Sequence, residues 1–291
     1  MNGRGTARSI AWASSAAVVK HQAEKTGRNT VEGNPTYDGP RPDEVCESRL
    51  EKDSVETVRV ATWNVGSMKG RSGEVVETLC RRRIDICSVQ ETRWKGEGTR
   101  LISGKDNKYK FFWKGNSDGN AGVGVLIAEK WIESVVDVKR VNERMILVKM
   151  IIGEKLVSVM SAYAPQTGRG EEEKDEFWSE LLSVTSSVKA DEIIVLGGDL
   201  NGHVGSKGDC YEGVHGGYGF GTRNAEGERI LEFSDATDMF LCNTCFRKSE
   251  KRLITYESGG NKTTIDYLLM RKRDRYMVKN VNVIAGEECV T

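Results

Sequence analysis

The sequence I-I-V-L-G-G-D-L-N occupies positions 193–201 of a chain of 291 residues. Four apolar residues that stop at two glycines are typical of a strand buried in a sheet. Asp199 and Asn201 follow the strand directly. Acidic and amide side chains at a strand end are rigidly held and open to water, so this stretch indicates a polar site at one edge of a sheet.

Three more polar clusters follow or interrupt apolar runs. Asn64 follows V-R-V-A-T-W, Glu91 follows I-D-I-C-S-V-Q, and Asp266 lies within K-T-T-I-D-Y-L-L. An acid inside a strand is costly to bury without a partner, which makes Asp266 the most informative carboxylate. Each cluster alone also has a structural explanation, as a turn former, a solvated strand-end charge or the partner of a nearby Lys or Arg.

The chain from residue 57 onward predicts many short strands and few helices. Helical spacing occurs at 171–188, which begins with acids, and at 226–237. Strands interleaved with only a few helices predict an α/β layered sandwich rather than a purely parallel sheet. The predicted strands are 58–65, 84–89, 109–114, 121–128, 145–152, 156–162, 193–196, 239–242, 253–256, 264–269 and 278–284.

Residues 1–56 contain three of the four prolines and lack regular hydrophobic periodicity, which predicts a disordered lead-in. Within them, an apolar run at 10–19 follows Arg4 and Arg8. Such a run is also typical of a signal peptide or an organelle presequence, although Ser14 and Ser15 interrupt it. A targeting segment and an incidental tail therefore both stay open.

Composition excludes several classes of protein. The chain has 43 basic and 43 acidic residues, so bulk charge does not drive it to nucleic acid, although a local basic groove is compatible with it. The apolar runs are far shorter than the roughly twenty residues that span a membrane.

Seven cysteines, an odd number, indicate a reducing, intracellular compartment. Cys242 and Cys245 lack the second pair of a zinc site, which favours buried free thiols.

Local basic clusters lie at 81–83, 247–252 and 271–275. Each is equally compatible with contacts to backbone phosphates and with a solvated helix end or the protection of an edge strand.

Five motifs in a fixed order resemble the endonuclease/exonuclease/phosphatase superfamily, which includes deoxyribonuclease I, exonuclease III-type enzymes and inositol polyphosphate 5-phosphatases. The resemblance covers residues 57–291 and implies two packed, mainly antiparallel β-sheets flanked by helices, a four-layer α/β sandwich. The motifs are A-T-W-N (61–64), S-V-Q-E-T (88–92), Y-A-P (163–165), L-G-G-D-L-N (196–201) and T-I-D-Y-L-L (264–269).

Further features are similar to the endonuclease domains of non-LTR retrotransposons and to the host proteins derived from them, called craniofacial development protein 2-like. These features are G-G-D-L-N-G-H-V-G (197–205), H-G-G-Y-G-F-G-T-R-N (215–224), L-E-F (231–233) and L-C-N-T-C-F (241–246).

The resemblance implies a Mg²⁺ or Mn²⁺ ion and a catalytic role for each motif. Glu91 is expected to bind the metal, with Asn64 beside the metal and the scissile phosphate, and with Asp199 and Asn201 also near the metal. Asp199 is expected to orient and deprotonate the attacking water, and Asn201 to hold a phosphate oxygen as charge develops. Tyr163 is expected to face the phosphate or the leaving oxygen.

The sequence departs from the superfamily pattern in two places. Gly66 stands where some apurinic endonucleases have a carboxylate. By resemblance Asp266 orients a histidine roughly two dozen residues further on, which falls beyond Thr291. His203 and His215 are compatible with a substitute role and with ordinary loop positions.

The domain at 57–291 is therefore expected to lack its C-terminal strand. Its loss predicts uncovered apolar surface near 281–284 and weak activity and stability of residues 1–291 alone.

The leading hypothesis is a divalent-metal-dependent endonuclease of retrotransposon type that acts on DNA in the nucleus rather than the cytoplasm. One alternative is a non-catalytic module on the same fold that binds nucleic acid or protein. Another is a phosphatase of the inositol-phosphate type, which the same fold permits. The sequence indicates no membrane partner, and it does not indicate which proteins would bind.

Overall fold

The computed structural model describes residues 11–12, 14–20, 57–258 and 260–284. None of the helices in these ranges is long and apolar enough to cross a membrane. The described elements include three α-helices, α1 (Ser72–Arg82), α2 (Glu171–Ser186) and α3 (Ala225–Ala236). The described strands are β1 (Ala11–Trp12), β2 (Ser14–Lys20), β3 (Thr57–Asn64), β4 (Ile86–Gln90), β5 (Glu97–Ser103), β6 (Lys108–Lys114), β7 (Val123–Ala128), β8 (Val135–Asn142), β9 (Met145–Ile152), β10 (Lys155–Tyr163), β11 (Ile193–Asp199), β12 (Val204–Gly205), β13 (Phe220–Arg223), β14 (Met239–Leu241), β15 (Tyr256–Ser258), β16 (Asn261–Thr263), β17 (Asp266–Arg271) and β18 (Val278–Ile284).

Two large sheets form the centre of the molecule. The first sheet has the strand order β14-β17-β11-β10-β9-β8, and the second has the order β18-β2-β3-β4-β7-β6-β5. Within them β10 runs parallel to β11 and β3 parallel to β4, and the other pairs are antiparallel. The prediction of two mainly antiparallel sheets is confirmed.

The fold has four layers, two sheets with helices on each outer face, and hydrophobic residues fill the space between the layers. A central core between the sheets combines residues such as Val60 and Ile86 of the second sheet with Val159 and Val195 of the first. Helices α2 and α3 cover the outer face of the first sheet, and α1 covers the second. This arrangement follows from the period-two alternation of each strand, which sends successive side chains to opposite faces.

Helices α2 and α3 lie within two residues of the ranges that the sequence predicts. Three glutamates, Glu171 to Glu173, occupy the first turn of α2, where their negative charge interacts favourably with the helix dipole. The side chain of Asn224 caps α3 by accepting a hydrogen bond from the Gly227 amide at 2.8 Å. Helix α1 was not predicted, because its apolar face is limited to three buried residues, Val75, Val76 and Leu79.

Strand β2 corrects the prediction of a disordered lead-in. Residues 14–20 lie between β3 and β18, with Lys20 opposite Thr57 and Ser14 opposite Ile284. A strand in this position satisfies backbone groups on two neighbouring strands, which outweighs a weak local propensity. The rest of 1–56, apart from Ala11–Trp12, lies outside the described residues, and so do Arg4 and Arg8, which precede the apolar run considered as a targeting segment.

The expectation of uncovered apolar surface near 281–284 is also wrong for two of these residues. Val281 and Val283 are 3% and 7% exposed. Strand β18 pairs with β2, and Val281 packs into the central core. Strand β2, which precedes the predicted domain in sequence, therefore connects β18 to β3 and the rest of the second sheet.

We expect deletion of residues 1–20 to destabilise the protein by about 2–4 kcal/mol, lowering the melting temperature by roughly 5–15 °C. The deletion removes β2 and with it the backbone pairing to β3 and β18. Differential scanning calorimetry would measure the change, with deletion of residues 1–10 as the matched control because it leaves both early strands in place. Equal melting temperatures for the two truncated proteins would contradict a structural role of β2.

Candidate active site

The inner faces of five central strands change from apolar to polar toward the same end of the sandwich. On β3 the inward positions are Val60, Thr62 and Asn64. On β11 they are Val195, Gly197 and Asp199. The corresponding residues at this end of the other three strands are Gln90 on β4, Tyr163 on β10 and Asp266 on β17. The strand register therefore gathers the sequence-predicted polar residues at one edge.

Asn64 connects the predicted metal ligand Glu91 to the predicted general base Asp199. Its Nδ2 group donates to Oε1 of Glu91 at 3.0 Å and to Oδ2 of Asp199 at 2.9 Å. Its Oδ1 accepts a hydrogen bond from the Gly66 amide at 3.0 Å, which fixes the orientation of the side-chain amide. The Tyr163 hydroxyl also donates to Oε1 of Glu91, at 2.9 Å. The four side chains form one hydrogen-bonded cluster.

Asn201 joins this cluster through its backbone. Its amide donates to Oδ1 of Asp199 at 3.1 Å, and its Nδ2 group donates to the Ala164 carbonyl at 2.8 Å. The residue has a φ of 49°, in the left-handed region that asparagine tolerates better than most residues. The D-x-N spacing therefore turns the chain back over the end of β11.

Asp199 and Asp266 concentrate negative charge beneath the site. They face each other across the β11–β17 pair, and both are buried. Burial, together with the charge of Glu91, raises the pKa of Asp199 to about 7, against the hydrogen bonds from Asn64 and Asn201. Burial and the charge of Asp199 raise the pKa of Asp266 well above its usual range. A cation or a proton would relieve this repulsion.

Glu91 and Arg93 lie in a strained loop beside this cluster. Both have positive φ, 54° and 52°, which non-glycine residues rarely adopt. The intervening Thr92 is held by its amide, which donates to Gly122, and by its carbonyl, which accepts from Met68. The guanidinium of Arg93 donates to Oε2 of Glu91 at 3.0 Å. Strain retained in this way is typical of functional sites.

A cleft of about 370 Å³ opens beside Glu91 and Tyr163. Its lining includes Arg93, Arg144 and Arg169. Arg144 donates to the Tyr163 carbonyl at 3.2 Å, lies 5.5 Å from the centroid of its ring, and bonds to Glu173. The sequence does not single out these arginines, because none of them lies in a basic cluster and only Arg93 is close to a motif residue.

The donor set fits a hard divalent cation bound largely through water. Mg²⁺ in proteins is usually held by one or two carboxylates with waters or substrate phosphates completing its shell. Glu91 lines the open cleft, whereas Asn64 turns its N–H groups to the carboxylates and its Oδ1 to the Gly66 amide, so it orients Glu91 and does not itself offer an oxygen ligand. Among the described residues no three His, Cys, Asp or Glu side chains are grouped closely enough to form a protein-only metal cage. Glu91 would be the principal protein ligand in such a site.

A layer of buried polar side chains supports the site from below. Thr62 donates to Oε1 of Gln90 at 3.2 Å, and Nε2 of Gln90 donates to the hydroxyl of Ser161 at 3.0 Å. The bond from Gln90 to Ser161 links the two sheets across the sandwich. Gly197 lies in this layer, where a Cβ atom would approach side-chain atoms of Ser88 and Thr62 at 3.0 Å. The first glycine of the G-G-D motif therefore allows the sheets to meet closely.

The two described histidines occupy loop positions. The Gly217 amide donates to Nδ1 of His215 at 3.0 Å, so Nε2 carries the proton and donates to the Gly205 carbonyl. Burial lowers the pKa of both His215 and His203. His215 is thus a neutral structural residue of its own loop, as one of the two sequence interpretations predicts.

The basic cluster at 271–275 has a structural role. Arg271 donates to the carbonyls of Val188, Lys189 and Ala190 after α2, and Arg273 donates to the carbonyl of Glu192. Because β17 is antiparallel to β11, Arg271 lies at the end of the sandwich away from Asp199. The structural interpretation is favoured over phosphate contact for these two arginines.

Comparison with known sequences identifies relatives that match most of the chain. The sequence profile of the Endonuclease/Exonuclease/phosphatase family matches residues 61–281. Craniofacial development protein 2 of Bos taurus is 29% identical over 233 residues, and that of Tragulus javanicus is 27% identical over 281 residues. These matches cover 79% and 92% of the chain, whereas they cover only 38% and 47% of the two relatives.

Comparison with solved structures indicates the same fold. The Xenopus laevis APE2 catalytic domain has a TM-score of 0.55 and 13% identity, over 79% of this chain and 94% of that domain. The endonuclease domain of TRAS1, a telomere-specific non-LTR retrotransposon, has a TM-score of 0.50 and 12% identity, over 78% and 97%. At these identities the similarity concerns the fold.

We expect Gly198→Ala to destabilise the protein by about 2–3 kcal/mol. A Cβ atom at this position would lie 2.5 Å from the Ala162 carbonyl oxygen, so the paired strands β10 and β11 would have to separate. Urea unfolding would measure the loss. Gly170→Ala is the matched control, because a Cβ atom there has no neighbour within 4 Å and its φ of −63° suits alanine. A similar free energy of unfolding for both variants would contradict the close approach of these strands.

Proposed function

The chain belongs to the Endonuclease/Exonuclease/phosphatase family, and on that premise we propose that it is a divalent-metal-dependent phosphodiesterase that cleaves DNA. The observation that carries the proposal is the bridge made by Asn64 between Glu91 and Asp199. It holds a metal-ligand type of residue and a general-base type of residue within one rigid cluster at an open cleft.

The proposal gives each side chain a distinct task. Asp199 accepts the proton of the attacking water, while the Asn201 amide holds its Oδ1 atom in place. Tyr163 keeps its hydroxyl proton, because burial and the neighbouring carboxylates raise its pKa, and it donates to Glu91. A bound Mg²⁺ or Mn²⁺, held mainly by Glu91, would supply positive charge to the phosphate oxygens.

Several features support a nucleic-acid substrate. The cleft beside Glu91 carries three arginines, and arginine suits the bidentate recognition of phosphate. Glu91, Glu143 and Glu173 line the same cleft, so its charges balance, and binding would depend on individual phosphate contacts made by the arginines. The similarity to a retrotransposon endonuclease domain makes DNA nicking of that type the specific activity that we propose, with the nucleus as its place of action.

We expect Asp199→Asn to reduce the rate of plasmid nicking about 10²–10⁴-fold, since it removes the general base while it keeps the size of the side chain. Conversion of supercoiled plasmid to the open circle in the presence of Mg²⁺ would measure the rate, and circular dichroism would verify folding. Asp191→Asn is the control, because Asp191 is exposed and precedes the opposite end of β11. Undiminished nicking by a folded Asp199→Asn protein would exclude this role.

Two further assays, used beside plasmid nicking, separate the alternative functions. A non-catalytic module would retain binding to DNA in a gel-shift assay without nicking by the wild type or any variant. A phosphatase would release inorganic phosphate from inositol phosphates in a reaction sensitive to Asp199→Asn. Nicking that disappears in EDTA and returns with Mg²⁺ supports the proposed function.

We expect Glu91→Gln to raise the Mg²⁺ concentration needed for half-maximal nicking on the order of tenfold. The amide retains the oxygen near Asn64 and Tyr163 but removes the charge that a hard cation prefers. A Mg²⁺ titration of the nicking rate would test this, with Asp191→Asn again as the control. An unchanged titration curve would mean that Glu91 is a structural acid and not a metal ligand.

A further inference from the structure

The two carboxylate oxygens of Glu91 have different partners. Oε1 accepts hydrogen bonds from Asn64 and Tyr163, both of which belong to the fixed cluster. Oε2 accepts one from the guanidinium of Arg93 at 3.0 Å. The oxygen that a metal ion would bind most readily is thus paired with a positive charge from the same loop.

The two members of this ion pair differ in exposure to solvent. The side chain of Glu91 is 11% exposed, whereas that of Arg93 is 49% exposed. Arg93 lines the cleft, so its guanidinium can turn into water without disturbing a buried group. Glu91 cannot move in the same way, because Asn64 and Tyr163 hold it. When the ion pair breaks, Arg93 therefore moves away and Glu91 stays in place.

The backbone maintains this pairing. Glu91 and Arg93 both have left-handed φ values, and Thr92 between them is hydrogen-bonded to Gly122 and Met68. The segment retains an unfavourable conformation at two residues that brings the guanidinium back onto the carboxylate two positions earlier. Such retained strain indicates a selected geometry rather than a chance surface contact.

We propose that Arg93 is a built-in counter-cation that competes with the divalent ion for Oε2 of Glu91. This inference depends on the metal role of Glu91 in the proposed function. In the metal-free protein the guanidinium neutralises a largely buried carboxylate, which stabilises the fold. When a metal ion binds, the guanidinium has to leave, so Arg93 lowers the affinity for the metal while it raises the stability of the metal-free state.

The opposing effects give a test that does not depend on activity. Arg93→Gln should bind Mn²⁺ roughly tenfold more tightly than the wild type, because it removes a positive charge close to the ion. The same variant should melt at a lower temperature in EDTA. Mn²⁺ binding is measured from the electron paramagnetic resonance signal of the free ion, and melting by calorimetry. Glutamine keeps a side chain at the left-handed position, so the backbone strain is unchanged.

Two control variants separate the ion pair from general charge. Arg93→Lys retains the positive charge and should bind Mn²⁺ and melt nearly as the wild type does. Arg169→Gln removes a charge from the same cleft, but Arg169 pairs with Glu173 and not with Glu91. Its effect on Mn²⁺ affinity should be clearly smaller than that of Arg93→Gln.

Each outcome decides the inference. Tighter Mn²⁺ binding by Arg93→Gln together with a lower metal-free melting temperature supports it. Unchanged or weaker Mn²⁺ binding by that variant overturns it and leaves the proposed function in place. Failure of both wild type and variant to bind Mn²⁺ overturns the inference and the metal role together. Tight Mn²⁺ binding without any nicking overturns the proposed function alone.

Discussion

The alternation of side chains along five strands is the constraint on which the site depends. Each of these strands turns apolar residues inward at one end and polar residues inward at the other, as Val159, Ser161 and Tyr163 do on β10. The sandwich is therefore a dry core that changes continuously into a hydrogen-bonded site. A shift of one residue in register would place Asp199 on the outer face against α2 and α3.

The buried polar layer explains how charged residues are tolerated at the end of a core. Burying a carboxylate is costly unless hydrogen bonds or opposite charge compensate for lost hydration. Asp199 receives bonds from Asn64 and Asn201, and Glu91 receives them from Asn64, Tyr163 and Arg93. The cost is met within a connected network, so removal of one member affects the orientation of the others.

The sequence predicts the central strands and the positions at which polar residues end them. These features are local, because apolar runs and glycine pairs determine where β10 and β11 lie. It does not predict that Asn64 would connect Glu91 and Asp199, since this contact joins residues 27 and 135 positions apart. The edge strands β5 and β8 were also missed, because their mixed exposed and half-buried residues give no clear periodicity. Arg93 and Arg144 gain their importance only from three-dimensional proximity.

Strand β2 has a consequence for the order in which the molecule is assembled. It comes from the first part of the chain, yet one of its neighbours is β18, the last described strand. During synthesis β2 leaves the ribosome early and has no complete place to pair until residues 278–284 have emerged. Contacts of such long sequence separation form slowly. The second sheet therefore closes late: β2 can pair with β3 once both have emerged, but its other edge stays open to chaperones or to neighbouring chains until β18 is made.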